Sequence, residues 1–392
     1  MTHIPNQESL PGRVDELDGL RGLLSLWVVV SHIFCWTGFW ELFTAKRPLG
    51  RLLFEFICAG AAVDTFMILS GFAISFLLHQ RHQSYGQFMQ GRFFRIYPVY
   101  LVCLVLGMVV ASFLTPFVLD TASWRDSAYF ERNRFFSSNE SAAAGAHAFW
   151  HLTLLNGLIP RSLLADSTAT FLAPAWSISL EWQYYLVAPL LARLVRSGTG
   201  LLLLTVLAWL GLRYGRAWEN PHLAFLPAQL PLFLIGIGSY HLYALFVKSG
   251  CRRSSSLALP AAALLAFGIL TSWHPVALTL WTLGFGCIFV SGHDLFSRAL
   301  SLVRATLLRP RLQRLGRISY PLYLVHWPLI IAFLAALFHW HPGISSHHAL
   351  LLMLTLGLPL VFVAASLLHT WVERPSMALG RRLIAPRAGR SS

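Results

Sequence analysis

A histidine and an arginine in the first apolar stretch of the sequence have the side chains that acid–base chemistry needs. Residues 17–33 read LDGLRGLLSLWVVVSHI, with Arg21 and His32 eleven positions apart. Eleven residues are about three helical turns, so the two side chains share a face about 16 Å apart along the axis. A neutral histidine at mid-bilayer could take a proton from a hydroxyl. The same spacing also fits a histidine bonded between helices and an arginine that anchors the helix at the membrane surface.

Two carboxylates stand in apolar surroundings and could orient such a base. Asp64 lies in AAVDTFMILSGF, and Glu181 lies in PAWSISLEWQYYLVAP. Ionisable residues inside a span cost several kcal/mol and usually face a cavity or a partner. Either carboxylate could orient His32 or balance an arginine, and a purely structural pair explains Asp64 equally well. Ser177, Glu181 and Tyr185 follow each other at i, i+4 and i+8, which predicts one polar stripe on a helix.

Three further groups of residues could contact a substrate. Arg92 and Arg95, in the loop sequence GRFFRIYP, have a spacing that suits a phosphate clamp or an ordinary cytoplasmic anchor. The stretch GRISYPLYLVHWPL places Tyr320, Tyr323 and His326 on one helix face, and Trp176 suits an aromatic membrane interface. Cys35 is better explained as a packing residue than as a nucleophile.

No metal site is predicted. His339, His341, His347 and His348 cluster without nearby carboxylates or cysteines, which is weak evidence for a metal ion. The sequence also lacks a Walker loop, a GxGxxG fingerprint, a GxSxG elbow and an HExxH motif. Hydrolysis by a soluble-type triad or by zinc is therefore not supported.

The elements that must position these side chains are membrane helices. Of the 392 residues, 56% are hydrophobic and 12% are charged, about half the charged share of soluble proteins. A soluble globule and a disordered chain are both excluded. Because a span needs about 20 apolar residues, we predict an all-α integral membrane protein with about ten transmembrane helices. These are 17–39, 54–79, 96–119, 174–194, 199–217, 222–247, 256–272, 275–292, 319–339 and 348–372.

The net charge of +14 indicates the orientation of these spans and not a nucleic-acid partner. Most Lys and Arg residues fall on one side if both termini are cytoplasmic and residues 147–164 do not cross, as the positive-inside rule favours. We therefore expect 147–164 to be a re-entrant or interfacial helix. The chain then divides into a cytoplasmic segment 1–16, a membrane domain 17–375 with an outer segment at about 120–173, and a basic cytoplasmic tail 376–392.

Five motifs in order resemble the membrane acyltransferase-3 family over roughly residues 15–375. They are DGLRG with the later histidine, FMILSGF, RFFRIYP, WSISLEWQYYL and ISYPLYLVHWP. That family includes bacterial O-antigen, exopolysaccharide and Nod-factor O-acetyltransferases and macrolide acyltransferases. FMILSGF departs slightly from the family's usual FFVLSGF. No SGNH-type esterase domain follows the tenth span, so the chain resembles the stand-alone branch.

The resemblance implies a ten-helix enzyme of the bacterial inner membrane that moves an acyl group, commonly acetyl, from cytoplasmic acyl-CoA to a hydroxyl. The acyl-CoA is a co-substrate, and no cofactor is held permanently. The acceptor is expected to be a glycan or a lipid-linked oligosaccharide, and membrane lipids are the other expected partner. No oligomeric state is indicated. The resemblance maps family elements onto Arg21 and His32, onto Arg92 and Arg95, and onto Ser177, Glu181 and Tyr185. Together with the residue patterns above, this gives His32, Arg21, Asp64 and Glu181 as expected catalytic residues and Arg92, Arg95, Arg21 and Tyr185 as expected coenzyme A residues. The expected substrate-binding residues are Ser177, Trp176, Tyr323 and His326.

Three alternatives remain open at this point. The acceptor could be a macrolide or another small molecule instead of a glycan. A covalent acyl-histidine relay would replace direct transfer if His32 acted as a nucleophile. A glycan or lipid transporter would also place charges inside the membrane, although transporters often show inverted repeats that this sequence lacks.

Overall fold

A computed structural model describes residues 13–40, 59–80, 83–215, 224–248, 275–290 and 294–384, and every regular element in these ranges is helical. The long helices coincide with the apolar runs of the sequence, because a helix satisfies its backbone polar groups internally. The helices are α1 Asp15–Trp36, α2 Gly60–Gln80, α3 Tyr85–Phe113, α4 Thr115–Thr121, α5 Ala128–Ala142, α6 Ala144–Leu152, α7 Ala175–Leu194, α8 Gly198–Tyr214, α9 Leu226–Lys248, α10 Pro275–Gly286, α11 Leu295–Leu307, α12 Pro310–Trp340 and α13 Ser346–Ile384.

Within the described residues, 6 helices are long and apolar enough to cross a membrane, which confirms an all-α membrane protein. They are α1, α2, α3, α9, α12 and α13. The predicted spans at 174–194, 199–217 and 275–292 coincide with α7, α8 and α10, which fall outside that set. The predicted span 256–272 lies outside the described residues. The count of ten and the orientation therefore stay predictions.

The arginine pair of GRFFRIYP lies inside a helix, so its assignment to a loop was wrong. Helix α3 begins at Tyr85 because a capping box closes its first turn: Ser84 Oγ accepts from the Gln87 backbone N–H, and Gln87 Oε1 accepts from the Ser84 N–H. Arg92 and Arg95 consequently have fixed helical positions ahead of Pro98.

The described chain forms two compact units, and the first comprises Met1–Leu26, Ala59–His82 and Pro231–Arg317. Helices α2 and α9 touch there through glycines. A Cβ atom added to Gly71 would lie 2.2 Å from the Phe233 carbonyl oxygen, and one added to Gly236 would lie 1.9 Å from the Ile68 carbonyl oxygen. Small residues thus allow the backbones to approach closely, as is common between membrane helices.

The second unit comprises Trp27–Cys58, Gln83–Leu230 and Ile318–Ser392. It contains α3, α7, α13, most of α12 and the whole segment between α3 and α7. Residues 147–164 of that segment do not form one helix: α6 ends at Leu152, and Leu154 then has a φ of 60° before a short 3₁₀ turn at Asn156–Leu158. None of the candidate spans includes this stretch.

Buried polar groups hold this outer segment against α3. The Tyr100 hydroxyl of α3 donates to the His151 carbonyl oxygen at 2.9 Å, and its oxygen lies 3.2 Å from His151 Nδ1. On the other side of the ring, His151 Nε2 lies 3.0 Å from Thr170 Oγ1. Because the Tyr100 proton is already used, Nδ1 carries the hydrogen and Nε2 accepts from Thr170. Burial lowers the pKa of His151 to about 3, so this network contains a neutral imidazole.

Glu140 supports the same segment from α5. Its Oε2 accepts a 2.6 Å hydrogen bond from the Phe171 backbone N–H, where the chain turns with a φ of 50°. Burial raises the pKa of Glu140 to about 7, and the Phe171 N–H opposes that rise only in part. The carboxyl group is therefore half protonated near neutral pH.

We expect Glu140→Gln to remove a pH dependence of stability. Because the folded protein binds the Glu140 proton more tightly than the unfolded chain, this group favours folding most below pH 4.5, and its contribution declines as the pH rises to about 7. The decline is up to about 3 kcal/mol. The glutamine side chain of the variant keeps an acceptor for the Phe171 N–H without titrating.

The measurement is thermal or denaturant unfolding in detergent between pH 4.5 and 8 for both proteins. His147 and His151 have lowered pKa values and act in the opposite direction, but the difference between wild type and variant cancels them. A difference that stays constant over this range would contradict the assignment.

Candidate functional site

Two histidines from helices distant in sequence meet in the second unit. His32 Nδ1 on α1 lies 2.8 Å from His326 Nε2 on α12. The ring centroids are 5.0 Å apart and the ring planes differ by 15°. With nearly parallel planes and nitrogens at this distance, the rings meet edge to edge, as an in-plane N–H···N hydrogen bond requires.

The surrounding contacts determine which nitrogen carries each proton. His326 Nδ1 lies 3.1 Å from the carbonyl oxygen of Leu322, one turn earlier on α12. A carbonyl oxygen only accepts, so the neutral His326 ring has its proton on Nδ1 and a lone pair on Nε2. His32 must then donate from its own Nδ1, which leaves His32 Nε2 unprotonated. A neutral imidazole with that free nitrogen can accept a proton from a hydroxyl.

Aromatic rings surround the histidine pair but leave part of His32 exposed. The indole of Trp327 meets the His32 ring edge-on, with centroids 5.2 Å apart, and Trp36 packs on Trp327 at 5.5 Å. Trp36 and His326 are fully buried, whereas His32 keeps part of its surface exposed. His32 is therefore the member of the pair that a substrate can reach.

A hydroxyl pair beside the histidines joins α7 to α12. Ser177 Oγ lies 2.7 Å from Tyr323 Oη and donates to the Pro174 carbonyl oxygen at 3.0 Å. The Tyr323 hydroxyl can donate to the same carbonyl oxygen at 3.4 Å, so the two hydroxyls share Pro174 as an acceptor and bond to each other. The Tyr323 ring lies 6.1 Å from the His326 ring. Both predicted substrate-binding residues are buried, and their contacts fix the start of α7 beside the histidine pair.

A partly buried cation lies beside the middle of α7. Tyr185 Oη donates to Glu181 Oε1 at 2.5 Å. The guanidinium of Arg92 lies over the rings of Tyr185 and Phe88, 5.8 Å and 5.9 Å from their centroids. Its Nε atom is buried and has no hydrogen-bond acceptor among the described residues. Such a donor can hold an anionic group.

Arg95 has a different environment, although it lies one turn from Arg92. It forms an ion pair with Glu373, whose carboxylate is fully buried, and it lies over the Tyr320 ring at 5.7 Å. His369 Nδ1 contacts the second oxygen of Glu373 at 2.6 Å. Glu373 thus joins Arg95 to α13, at a place where α13 widens into a π-helical turn over His369–Glu373.

The other predicted site residues are Arg21, Asp64 and Trp176. Arg21 and Asp64 belong to the first unit, where Arg21 pairs with Asp18 at 3.5 Å. Trp176 lies on α7, partly exposed. The partner that the structure shows at His32 Nδ1 is His326.

The sequence patterns did not indicate Glu373 or His369. Residues 371–375 read WVERP, and the adjacent charges suggested a local pair between Glu373 and Arg374. A carboxylate at the end of an apolar span nevertheless needs a cation to balance its charge, and Arg92 and Arg95 of RFFR are two candidates. Two histidines in apolar spans each need a polar partner, but the sequence does not indicate that they bond to each other.

Comparisons with known proteins agree with these features. A family model described as an acyltransferase domain matches residues 14–370. The chain is 26% identical over 409 residues to acyltransferase MdmB of Streptomyces mycarofaciens, covering 94% of this chain and 93% of that protein. It is 29% identical over 182 residues to protein 2 in the picA locus of Rhizobium radiobacter, covering 44% and 80%. No solved structure matches the chain.

The matched residues 14–370 extend across both compact units. They include the histidine pair, the Ser177–Tyr323 hydroxyl pair and both arginines, but not Glu373. It agrees with the all-helical fold and the 6 candidate membrane helices. The chain therefore belongs to the acyltransferase-3 family and is a membrane acyltransferase that transfers groups other than aminoacyl groups.

Proposed function

We propose that this enzyme moves an acyl group, most commonly acetyl, from acyl-CoA to a sugar hydroxyl, with His32 as the general base. The observation that carries the proposal is the free Nε2 of His32, left unprotonated by the hydrogen bond from Nδ1 to His326. The ring is partly exposed within a wall of aromatic side chains. An uncharged base in an apolar environment suits the removal of a proton from a neutral hydroxyl.

The transfer step follows from this geometry. His32 Nε2 takes the hydroxyl proton while the acceptor oxygen attacks the thioester carbonyl carbon. The tetrahedral intermediate then collapses, the carbon–sulfur bond breaks, and the imidazolium returns the proton to the departing coenzyme A thiolate. No net charge is gained or lost, and His32 is ready for another cycle. Tyr323 and Ser177 lie near enough to the histidine pair to help orient the acceptor hydroxyl.

Arg92 is the proposed anchor for the phosphates of coenzyme A. It lies on α3 with a buried donor that has no acceptor in the described part of the chain, and its guanidinium faces two aromatic rings. Guanidinium groups bind phosphate oxygens through charge-assisted hydrogen bonds. Arg95 supports this site indirectly, since its charge is balanced by Glu373. Arg21 stays a proposed phosphate contact through the family resemblance, and Asp64 stays a proposed catalytic carboxylate because it stands in an apolar span.

The cellular setting belongs to the same proposal. Ten spans with both termini in the cytoplasm would place the acyl-CoA end on the cytoplasmic side of the bacterial inner membrane. The stretch 147–164 would remain on the outer side as a re-entrant or interfacial element, beside α7. The acceptor would then be a cell-surface or exported glycan, or its lipid-linked precursor.

We expect His32→Ala to lose transfer activity by about 10²–10⁴-fold, the usual contribution of a general base. Purified protein in detergent would be supplied with radiolabelled acetyl-CoA and a candidate glycan, and labelled product would be counted. Thermal unfolding should show a folded variant that is less stable by about 1–3 kcal/mol, because the buried Nε2 of His326 loses its partner.

His341→Ala is the matched control, since His341 is an exposed histidine outside the clusters. It should leave transfer unchanged. Normal product formation by His32→Ala would overturn the general-base assignment. Label trapped on wild-type protein without acceptor would favour an acyl-histidine relay.

Arg92→Ala should raise the KM for acetyl-CoA by about 10–100-fold with a smaller change in kcat. The range corresponds to one lost charge-assisted hydrogen bond of about 1.5–3 kcal/mol. With acetyl-pantetheine, which lacks the nucleotide phosphates, wild type and variant should have the same KM. Arg382→Ala, on an exposed part of α13, is the control. A variant whose KM stays equally raised for acetyl-pantetheine would contradict the phosphate contact.

Arg95→Met should lower the free energy of unfolding by about 3–5 kcal/mol, because it leaves the Glu373 charge buried without its cation. Adding Glu373→Gln should recover much of that loss, and the double variant should retain its KM for acetyl-CoA. Glu16→Gln breaks the more exposed pair with Arg304 and should cost less than about 1 kcal/mol. A raised KM in the stable double variant would instead assign Arg95 to the coenzyme.

A further inference from the structure

We infer that His326 is a positioning residue that selects the reactive tautomer of His32, in place of the substrate contact predicted from the sequence. This inference rests on the proposed role of His32 as the base. His326 is fully buried, and both of its ring nitrogens are used inside the protein, one by Leu322 and one by His32. It has no ring nitrogen left for a substrate.

The direction of both hydrogen bonds is determined by a group that can only accept. The Leu322 carbonyl oxygen is part of the backbone of α12 and cannot donate, so it holds the His326 proton on Nδ1. His326 Nε2 is therefore an acceptor, and it draws the single proton of neutral His32 to Nδ1. Free imidazole in water favours the opposite tautomer, with the proton on Nε2. Without His326, the reactive nitrogen of His32 would mostly be protonated.

The same contact aims the ring. The N–H···N bond keeps the planes of the two imidazole rings within 15° of each other. The Trp327 ring plane lies at 88° to the His32 ring plane, and this contact limits how far the His32 ring can rotate. When Nε2 accepts a proton, the new imidazolium still donates from Nδ1 to His326. The pair thus serves as a carboxylate–histidine pair does in hydrolases, where loss of the orienting group leaves the wrong tautomer and lowers kcat by up to about 10⁴.

The test uses two amides that differ by one methylene group. In His326→Gln the amide oxygen reaches the position of the imidazole Nε2 and can accept from His32. In His326→Asn the amide reaches only the position of Nδ1, beside Leu322. We expect the glutamine variant to keep kcat within about tenfold of wild type, and the asparagine variant to lose about 10²–10⁴-fold. The KM for acetyl-CoA should stay unchanged in both.

Nitrogen NMR of histidine-labelled protein supplies a readout that does not depend on turnover. His32 should show a protonated Nδ1 in wild type and in His326→Gln, and a protonated Nε2 in His326→Asn. Equal activity of the two variants, or an unchanged His32 tautomer in His326→Asn, would overturn the positioning role. Full activity of His32→Ala would instead overturn the proposed base, so the two failures are distinguishable. If both amide variants unfold, the tautomer of wild-type His32 still decides, since a protonated Nε2 contradicts the inference.

Discussion

A polar group enclosed by apolar helices has no water to bind, so its partner must come from the protein itself. This constraint accounts for the contacts of the second unit: His32 with His326, Tyr323 with Ser177, and Arg95 with Glu373. The histidine pair meets the constraint without any formal charge. A histidine–carboxylate pair in the same place would carry a charge at rest and would cost more to keep in apolar surroundings.

The two arginines of RFFR illustrate how one helical turn separates a structural role from a binding role. Both lie on α3, yet among the residues that the structure describes Arg95 has an ion pair with a buried carboxylate, whereas Arg92 has aromatic faces and no ion pair. A fully paired arginine has little attraction left for an anion. Arg92 keeps its donors and its positive charge for a ligand, and the two aromatic rings stabilise the guanidinium through cation–π contacts.

The sequence predicted the helical membrane fold well because long apolar runs have few other solutions. It also placed His32 and the Ser177–Glu181–Tyr185 stripe on helices, since polar residues at helical spacing are easily recognised in such runs. It missed the start of α3, where the Ser84 and Gln87 capping box was the available signal. It could not assign His326 to His32 or Glu373 to Arg95, because partners some 300 positions apart are brought together by packing and leave no trace in local spacing.

The π-helical turn at His369–Glu373 makes one place in α13 tolerant of a change in length. A π turn holds about one residue more than an α turn, so five residues there turn the helix about as far as four residues of a regular α-helix. Loss of one residue within the turn would restore a regular helix with little change of phase between the segments on either side. The same loss in a regular part of α13 would rotate Glu373 by about 100° relative to the residues before the deletion. The turn is therefore the position at which the helix accommodates one extra residue while Glu373 keeps its direction toward Arg95.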